Sequence, residues 1–226
     1  HYIHPFLEAI EQAMAEGLRA DDLVSLTAFV PPPAAPLICE PWARRQAPIS
    51  GYDGKWGLAY AMALMLVDGR VDVDSFTSHP RADVVAVAQR MTWAPMPDHG
   101  FPRRFAARIE GMGKKGPFKA ALHQVLGAPD RPVNTAAIRA KFASNATRRF
   151  EAMRVAQLEE AILGLVSAPD IAALGRLLEL IRLGRNNTIE GKAIKSPSVT
   201  KSIIKNGVTP ANTSSKRKGT GEAERT

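Results

Sequence analysis

The chain has 226 residues, which is enough for one large domain or two small ones. Its single cysteine, Cys39, excludes an internal disulfide and a cysteine-rich zinc site, so nothing indicates an oxidising compartment. The formal net charge is +8, and most of it lies after residue 183, where nine basic and three acidic residues occur. Residues 1–183 contain 21 basic and 19 acidic residues, so they are nearly neutral. A basic face that recognises nucleic acid is therefore not expected on residues 1–183.

The beginning of the chain reads as structured sequence. No secretory signal pattern precedes it, and we expect a cytoplasmic fragment of a longer protein. The segment 4–17 has apolar residues at helical spacing, with Pro5 in the first turn and Gly17 as the C-terminal stop. The spacing predicts a helix whose apolar residues are Phe6, Leu7, Ile10 and Met14.

Residues 22–30, DLVSLTAFV, predict a strand. Alternation places Leu23 with Ser25, Thr27 and Phe29 on one face, and the other face carries Val24, Leu26, Ala28 and Val30. Residues 31–52 contain six prolines and no periodicity, which predicts a long ordered loop.

The segment GYDGKWGLAYAMALMLVDGRV, residues 51–71, contains ten apolar residues from Leu58 to Val67. As a helix they would span about 15 Å, half of a bilayer core, so a membrane-spanning segment is excluded by length. Apolar residues lie on every side of this helix, which predicts a buried core element that Gly69 terminates.

The rest of the body alternates between short elements. We predict a short helix at DVDSF (72–76), a helix at 81–91, a strand at MTWAPMPD (91–98) and a hairpin whose turn is Gly-Lys-Lys-Gly at 113–116. Three helical segments follow, at 134–150, 154–166 and 168–184. Their capping residues are Asn134 or Thr135 for the first and Asp170 for the last.

The composition changes after residue 183. The remaining segment is rich in Asn, Thr, Ser, Gly and Lys and contains no aromatic residue. It cannot bury enough apolar surface to order itself, so we predict a disordered or foreign tail at 184–226. The predicted domains are an α+β unit at 1–132, closing helices at 133–183 and this tail.

Three stretches resemble the MmgE/PrpD family, whose members include 2-methylcitrate dehydratase, cis-aconitate decarboxylase and iminodisuccinate epimerase. They are YIHP at 2–5, GKWGLAY followed by LVDGRV at 54–71, and AKFASNA at 140–146. Their order and the helix spacing between them agree over residues 1 to about 183. The resemblance is therefore to the C-terminal part of a family member.

The resemblance implies an α+β fold. Family members have a large all-helical domain and a smaller α+β lid domain, and this chain would hold most of the lid and the helices that return to the helical domain. The helical domain, with the family's catalytic Asp and His, would be missing. The partners implied are a small polycarboxylate substrate, a second copy in a homodimer, or that helical domain. No cofactor and no metal are implied, and neither a membrane nor nucleic acid is expected as a partner.

His4 and Tyr60 are the candidate catalytic residues that the resemblance implies. An imidazole at a helix start can handle protons and bind a carboxylate. A phenol in a dry pocket can donate a hydrogen bond or relay a proton. The alternatives are a surface histidine beside Pro5 and a core tyrosine whose hydroxyl is satisfied by the backbone.

Lys55, Gly57, Arg44 and Arg45 are the candidate substrate-binding residues. A lysine beside exposed N–H groups and a guanidinium fork both suit carboxylates, although all three cations could simply be solvated. The chain departs from the family's pattern here, because Gly57 replaces the usual Ser, Trp56 the usual Phe and Ala59 the usual Pro. His79, His99 and His123 show no ligand spacing for a metal.

Two functions remain open from the sequence. The first is that of the family: proton abstraction next to a carboxylate of a di- or tricarboxylate, leading to dehydration, decarboxylation or epimerisation, with the chain inactive alone. The second is a noncatalytic remnant that acts as a folded lid or a dimerisation module. Nucleic-acid binding through the tail is disfavoured because the tail offers no aromatic residue for base stacking.

Overall fold

The computed structural model describes residues 1–76 and 79–178. Residues 1–171 form one unit, and a second unit begins at Ala172, of which the described residues 172–178 are helical. The elements of the first unit are, in chain order, α1 (His4–Ala15), β1 (Leu23–Val30), α2 (Ala35–Ile38), α3 (Trp42–Gln46), α4 (Gly51–Gly54), α5 (Leu58–Asp68), α6 (Ala82–Ala88), β2 (Met91–Pro95), β3 (Ala107–Gly113), β4 (Gly116–Leu122), α7 (Thr135–Ala146) and α8 (Ala152–Leu163).

The strands form one mixed sheet in the order β2-β1-β3-β4, which confirms the α+β fold class. β1 pairs parallel with β2 and antiparallel with β3, and β3 and β4 form the predicted hairpin across Gly113 and Gly116. In β1 the predicted faces are wrong at the start. The register shifts between Leu23 and Ser25, so Leu23 is buried with the core face and Val24 is exposed.

Helix α5 lies in the core, as its composition predicts. Every residue from Leu58 to Leu66 is buried, and the helix packs against α1 and α6. Gly69 follows with a φ of 70°, the left-handed conformation that glycine adopts at low cost. Among the described residues no helix has both the length and the apolar character to cross a bilayer.

The proline-rich segment is not the long loop that its lack of periodicity predicts. It contains α2, α3 and α4, each only about one turn long, so no periodicity could develop. Pro36 lies in the first turn of α2, where a missing N–H costs nothing. Pro41 precedes α3, and Ser50 caps α4 by accepting a hydrogen bond from Asp53 N. The prolines therefore begin helices here.

The predicted short helix at 72–76 is also wrong, because this segment is a turn. Asp72 Oδ1 accepts hydrogen bonds from the backbone N–H groups of Asp74 and Ser75, at 2.8 and 3.1 Å. Arg148, which lies between α7 and α8, reaches the same turn, with Nη2 at 2.7 Å from Asp74 and 3.6 Å from Asp72. These ion pairs fasten the α7–α8 connection to the body.

The closing helices α7 and α8 confirm two of the three predicted helical segments. Asn134 caps α7 by accepting a hydrogen bond from Ala137 N at 2.7 Å, and Arg139 on α7 pairs with Glu159 on α8 at 2.8 Å. The third segment extends beyond residue 178, and the predicted tail lies outside the described residues altogether. The division between residues 132 and 133 stays a prediction.

Candidate functional site

His4 opens α1, where the resemblance to the family places it. Pro5 follows it in the first turn, and His4 is exposed overall although neighbouring atoms cover part of its ring. Partial burial of the ring lowers the pKa of His4 below its ordinary value, and the positive charges of the chain's amino group and Lys141 lower it further, against an opposing effect of Glu8. The neutral imidazole, which can accept a proton, is therefore favoured at this position.

Aromatic rings join His4 to the loop that precedes β3. The His1 ring lies 5.9 Å from the His4 ring and 4.3 Å from the Phe105 ring. Tyr2 stacks on Phe105 at 5.8 Å and meets Phe101 edge-on at 5.5 Å. The start of α1 and the loop 97–106 consequently form one surface, which we call the histidine corner.

Two basic residues, one in this corner and one beside it, were not assigned any role from the sequence. Arg104 lies in the loop, and its Nη1 contacts the ring nitrogen Nε2 of His123, at the end of β4. The two residues are 19 positions apart and belong to no motif, so the sequence carried no signal for their contact. Only the pairing of β3 with β4 brings them together.

Tyr60 lies in the first turn of α5, as predicted, but in the core. Its side chain is 2% exposed, and its hydroxyl oxygen accepts a hydrogen bond from Arg81 N at 3.1 Å. This geometry is that of a core tyrosine satisfied by the backbone. The catalytic role of Tyr60 stays a prediction, and its phenolic hydrogen is the part of the hydroxyl left to donate.

Gly57 begins α5 and lies against the backbone of α3. A Cβ built on Gly57 would come within 2.7 Å of the carbonyl oxygen of Arg45. A serine, which the family's pattern would place here, does not fit without a backbone shift. Lys55 is exposed just before this point, with its Nζ 5.9 Å from the centre of the Phe76 ring.

Arg44 and Arg45 already face a carboxylate of their own chain. Arg44 Nε donates to both oxygens of Asp53, at 3.1 and 3.0 Å, and Arg45 Nη1 lies 3.8 Å from it. Burial alone would raise the pKa of Asp53, but the hydrogen bonds from Arg44 and Ile49 N and the two positive charges outweigh it and lower the pKa. Asp53 thus stays ionised and holds both arginines.

The structure therefore gathers the predicted residues at two places. Arg44, Arg45 and Gly57 meet at the start of α5, and Lys55 and Tyr60 are close to them in sequence. His4 belongs to the histidine corner, and among the described residues none of its hydrogen bonds, ion pairs or ring contacts involves Lys55 or Tyr60. Whether the two places serve one ligand stays a prediction.

Ligands for a metal do not cluster in the described part of the chain. Within residues 1–76 and 79–178, no three His, Cys, Asp or Glu side chains are grouped so that they could hold an ion. Cys39 is buried, and burial foremost raises the pKa of its thiol to about 12, so it is present as the neutral thiol.

Comparison with known protein families finds a match over most of the chain. The model of the MmgE/PrpD C-terminal domain matches residues 1–165, from the histidine corner through α8. The match includes all six predicted site residues. No curated protein matches the chain significantly.

Proposed function

Because the chain belongs to the MmgE/PrpD family, we propose that its α+β unit binds a small di- or tricarboxylate and takes part in proton abstraction next to one of its carboxylates. The family match over residues 1–165 is the observation that carries this proposal. The outcome of the reaction would be dehydration, decarboxylation or epimerisation.

His4 is the residue best placed to handle the proton. Its lowered pKa favours the neutral ring, which can take a proton from the carbon next to a carboxylate. The positive groups that lower this pKa, Lys141 among them, would also attract an anionic substrate. Proton transfer to the ring leaves the carbon's electron pair delocalised into the carboxylate as an enediolate-like anion, which nearby cations stabilise.

The later step would depend on what leaves this anion. Protonation of a neighbouring hydroxyl lets it depart as water with formation of a double bond. In decarboxylation, the abstracted proton returns to the carbon skeleton, carbon dioxide departs, and a second proton takes up the electron pair of the broken carbon–carbon bond. In epimerisation, the proton returns to the other face of the same carbon.

Lys55 and Arg44 are the cations at the start of α5 that could reach a ligand carboxylate. Lys55 is exposed, and Arg44 binds Asp53 through Nε, so its other N–H groups can still donate. Arg45 and Gly57 would act through the backbone contact between them. Tyr60 would need its surroundings to open before its hydroxyl could meet substrate.

Binding can be tested on the 226-residue chain with citrate as the probe and the histidine ring signals in NMR as the readout. We expect citrate to shift the His4 signals. The substitution His4→Gln would weaken binding about tenfold, as loss of a hydrogen bond to a charged group does. The control His79→Gln, outside the corner, would leave binding unchanged. Unmoved His4 signals at saturating citrate would contradict the proposed site.

Turnover is expected to need a partner. We propose that the chain alone does not convert cis-aconitate or 2-methylcitrate, because the resemblance places further proton-handling residues in the family's helical domain. Turnover of either acid by the purified chain, lost in His4→Gln, would contradict this part and support a complete site on the chain.

A binding module is the second candidate function, and the exposure of α7 and α8 favours it. None of the residues of α7 is buried, and Ile138 on α7 and Met153 on α8 are 58% and 75% exposed. Such apolar side chains would pack against a helical domain or a second copy. Light scattering tests the second copy: a dimer that Met153→Lys converts to monomer, while Arg154→Glu does not, would support it.

A further inference from the structure

A cleft at the end of the sheet adjoins the histidine corner. Its volume is about 400 Å³, within the range of small-molecule sites. It lies between the end of β2 and the hairpin strands, and its polar lining consists of Asp98, Arg108 and His123. A small organic acid fits a space of this size.

Arg104 stands beside this cleft, next to His123. Among the described residues it makes no salt bridge, and its Nη1 instead contacts His123. A guanidinium carries five N–H donors, so most of them remain available. A neutral imidazole accepts this N–H through Nε2, so its other ring nitrogen carries a hydrogen and can donate to a ligand. The pair therefore offers guanidinium and imidazole N–H groups to a carboxylate beside it.

The backbone around Arg104 is shaped to hold the guanidinium in place. Gly100 has a φ of 66°, and a Cβ built on it would lie 2.5 Å from Arg104 Nε. Arg104 N also donates to the carbonyl of Gly100 at 3.1 Å. One residue further on, Phe105 N donates to Gln124 Oε1 at 3.0 Å, which fixes the loop to the residue after His123.

The other charged groups of the cleft, Arg108 and Asp98, do not occupy the N–H donors of Arg104 and His123. Arg108 lies with its guanidinium carbon 3.8 Å from the centre of the Phe29 ring and pairs loosely with Glu110, at 3.6 Å. Its Nε is buried without a hydrogen-bond partner. Asp98 is the acidic side chain of the lining, and it lies beyond salt-bridge distance of Arg104.

We propose that Arg104 and His123 form a binding site for one carboxylate group of an organic acid in this cleft. The guanidinium fork takes the two oxygens, and the ring of His123 donates a third hydrogen bond. Gly100 is a positioning residue, since its missing side chain leaves room for the guanidinium. The proposal rests on the proposed function only for the identity of the acid.

The test is an NMR titration of the 226-residue chain with citrate, observing the ring signals of His123 and His4 together. We expect citrate to shift the His123 signals and Arg104→Gln to weaken binding about tenfold. Gly100→Ala displaces the guanidinium and would weaken binding in the same direction. Arg103→Gln removes the same charge from the exposed neighbouring position and is the matched control, expected to bind within about twofold of the unaltered chain.

The two ring signals separate this proposal from the proposed function. If His4 shifts while His123 does not, or if Arg104→Gln binds as tightly as Arg103→Gln, the carboxylate site is overturned and the function stands. If His123 shifts and Arg104→Gln weakens binding while His4 is unmoved, the carboxylate site is supported and the role of His4 fails. If neither signal moves, both are overturned.

Discussion

Helices α5 and α7 have nearly the same length and opposite surroundings. In α5 the nine residues from Leu58 to Leu66 are all buried, whereas none of the residues of α7 is. α5 is held by the core on every side. Within the described part of the chain, α7 is held by its cap, by an ion pair to α8 and by the connection at Arg148. Secondary structure alone therefore does not tell how strongly a helix belongs to this fold.

The difference separates two kinds of stabilisation in one unit. Burial of apolar surface contributes roughly 25 cal/mol per Å², so α5 accounts for a large part of the stability of the body. The bonds of α7 are exposed hydrogen bonds and ion pairs, which contribute little each. Four substitutions test this contrast.

Leu64→Ala in α5 has the largest expected effect. Leu64 is fully buried, and its truncation leaves a cavity that costs about 2–5 kcal/mol of unfolding free energy. Ile138→Ala in α7 is the matched control, with an expected change within about 0.5 kcal/mol because the side chain is exposed. Urea unfolding measures both. A cost of Ile138→Ala equal to that of Leu64→Ala would show that α7 is covered by a partner.

Gly57→Ser comes second. The new Cβ meets the carbonyl of Arg45 at 2.7 Å, so the backbone of α3 or α5 must move, at about 1–3 kcal/mol. Gly164→Ser, at the end of α8, meets nothing within 4 Å and is expected to change stability by less than about 0.5 kcal/mol. Equal midpoints in urea for both variants would mean that Arg45 is not fixed against α5.

Asn134→Ala comes third and acts locally. It removes the cap of α7, at about 1 kcal/mol. Hydrogen exchange is expected to speed up in α7 and to stay unchanged in α5, because α7 is joined weakly to the core. Asn145→Ala, in the last turn of α7, is the control and is expected to leave the exchange rates of α7 as in the unaltered chain. Faster exchange throughout α5 would contradict the separation of the two helices.

Lys141→Met has the smallest expected effect and probes a place where α7 meets the body. Lys141 lowers the pKa of His4, so its removal raises that pKa towards the ordinary value. Because the pKa of His4 is lower in the folded chain, the unfolded chain binds more protons between that pKa and 6.5, and the free energy of unfolding falls as the pH drops through this range. In Lys141→Met the folded pKa is closer to 6.5, so the pH range over which stability falls is narrower. NMR titration measures the pKa, with Lys114→Met on the hairpin turn as the control that leaves it in place.

The sequence predicts the elements whose pattern lies in consecutive residues and extends over several turns of helix or a complete hairpin. The burial of α5 follows from its ten apolar residues, and the hairpin follows from its turn residues. The helices α2 to α4 were missed because one turn shows no period. The faces of β1 were misjudged at Leu23 because a register shift depends on the partner strand.

The candidate site divides in the same way. The position of His4 at a helix start is a local property, and the sequence predicts it. The partner of Arg44 and the contact between Gly57 and Arg45 depend on how the chain returns on itself, which periodicity does not reveal. Arg104 and His123 meet only because β3 pairs with β4, so no motif could have joined them.

The attachment of Arg148 to Asp72 and Asp74 has a consequence for handling the protein. Salt at about 1 M shortens the Debye length to about 3 Å and so screens these ion pairs. It does not weaken the packing of the buried apolar side chains of α8, Val155 and Leu158. At high salt, α7 and α8 are therefore held to the body by fewer effective interactions than in dilute buffer. The α7–α8 connection would fluctuate more at high salt, and a protease would cut it around residue 148 faster there than in dilute buffer.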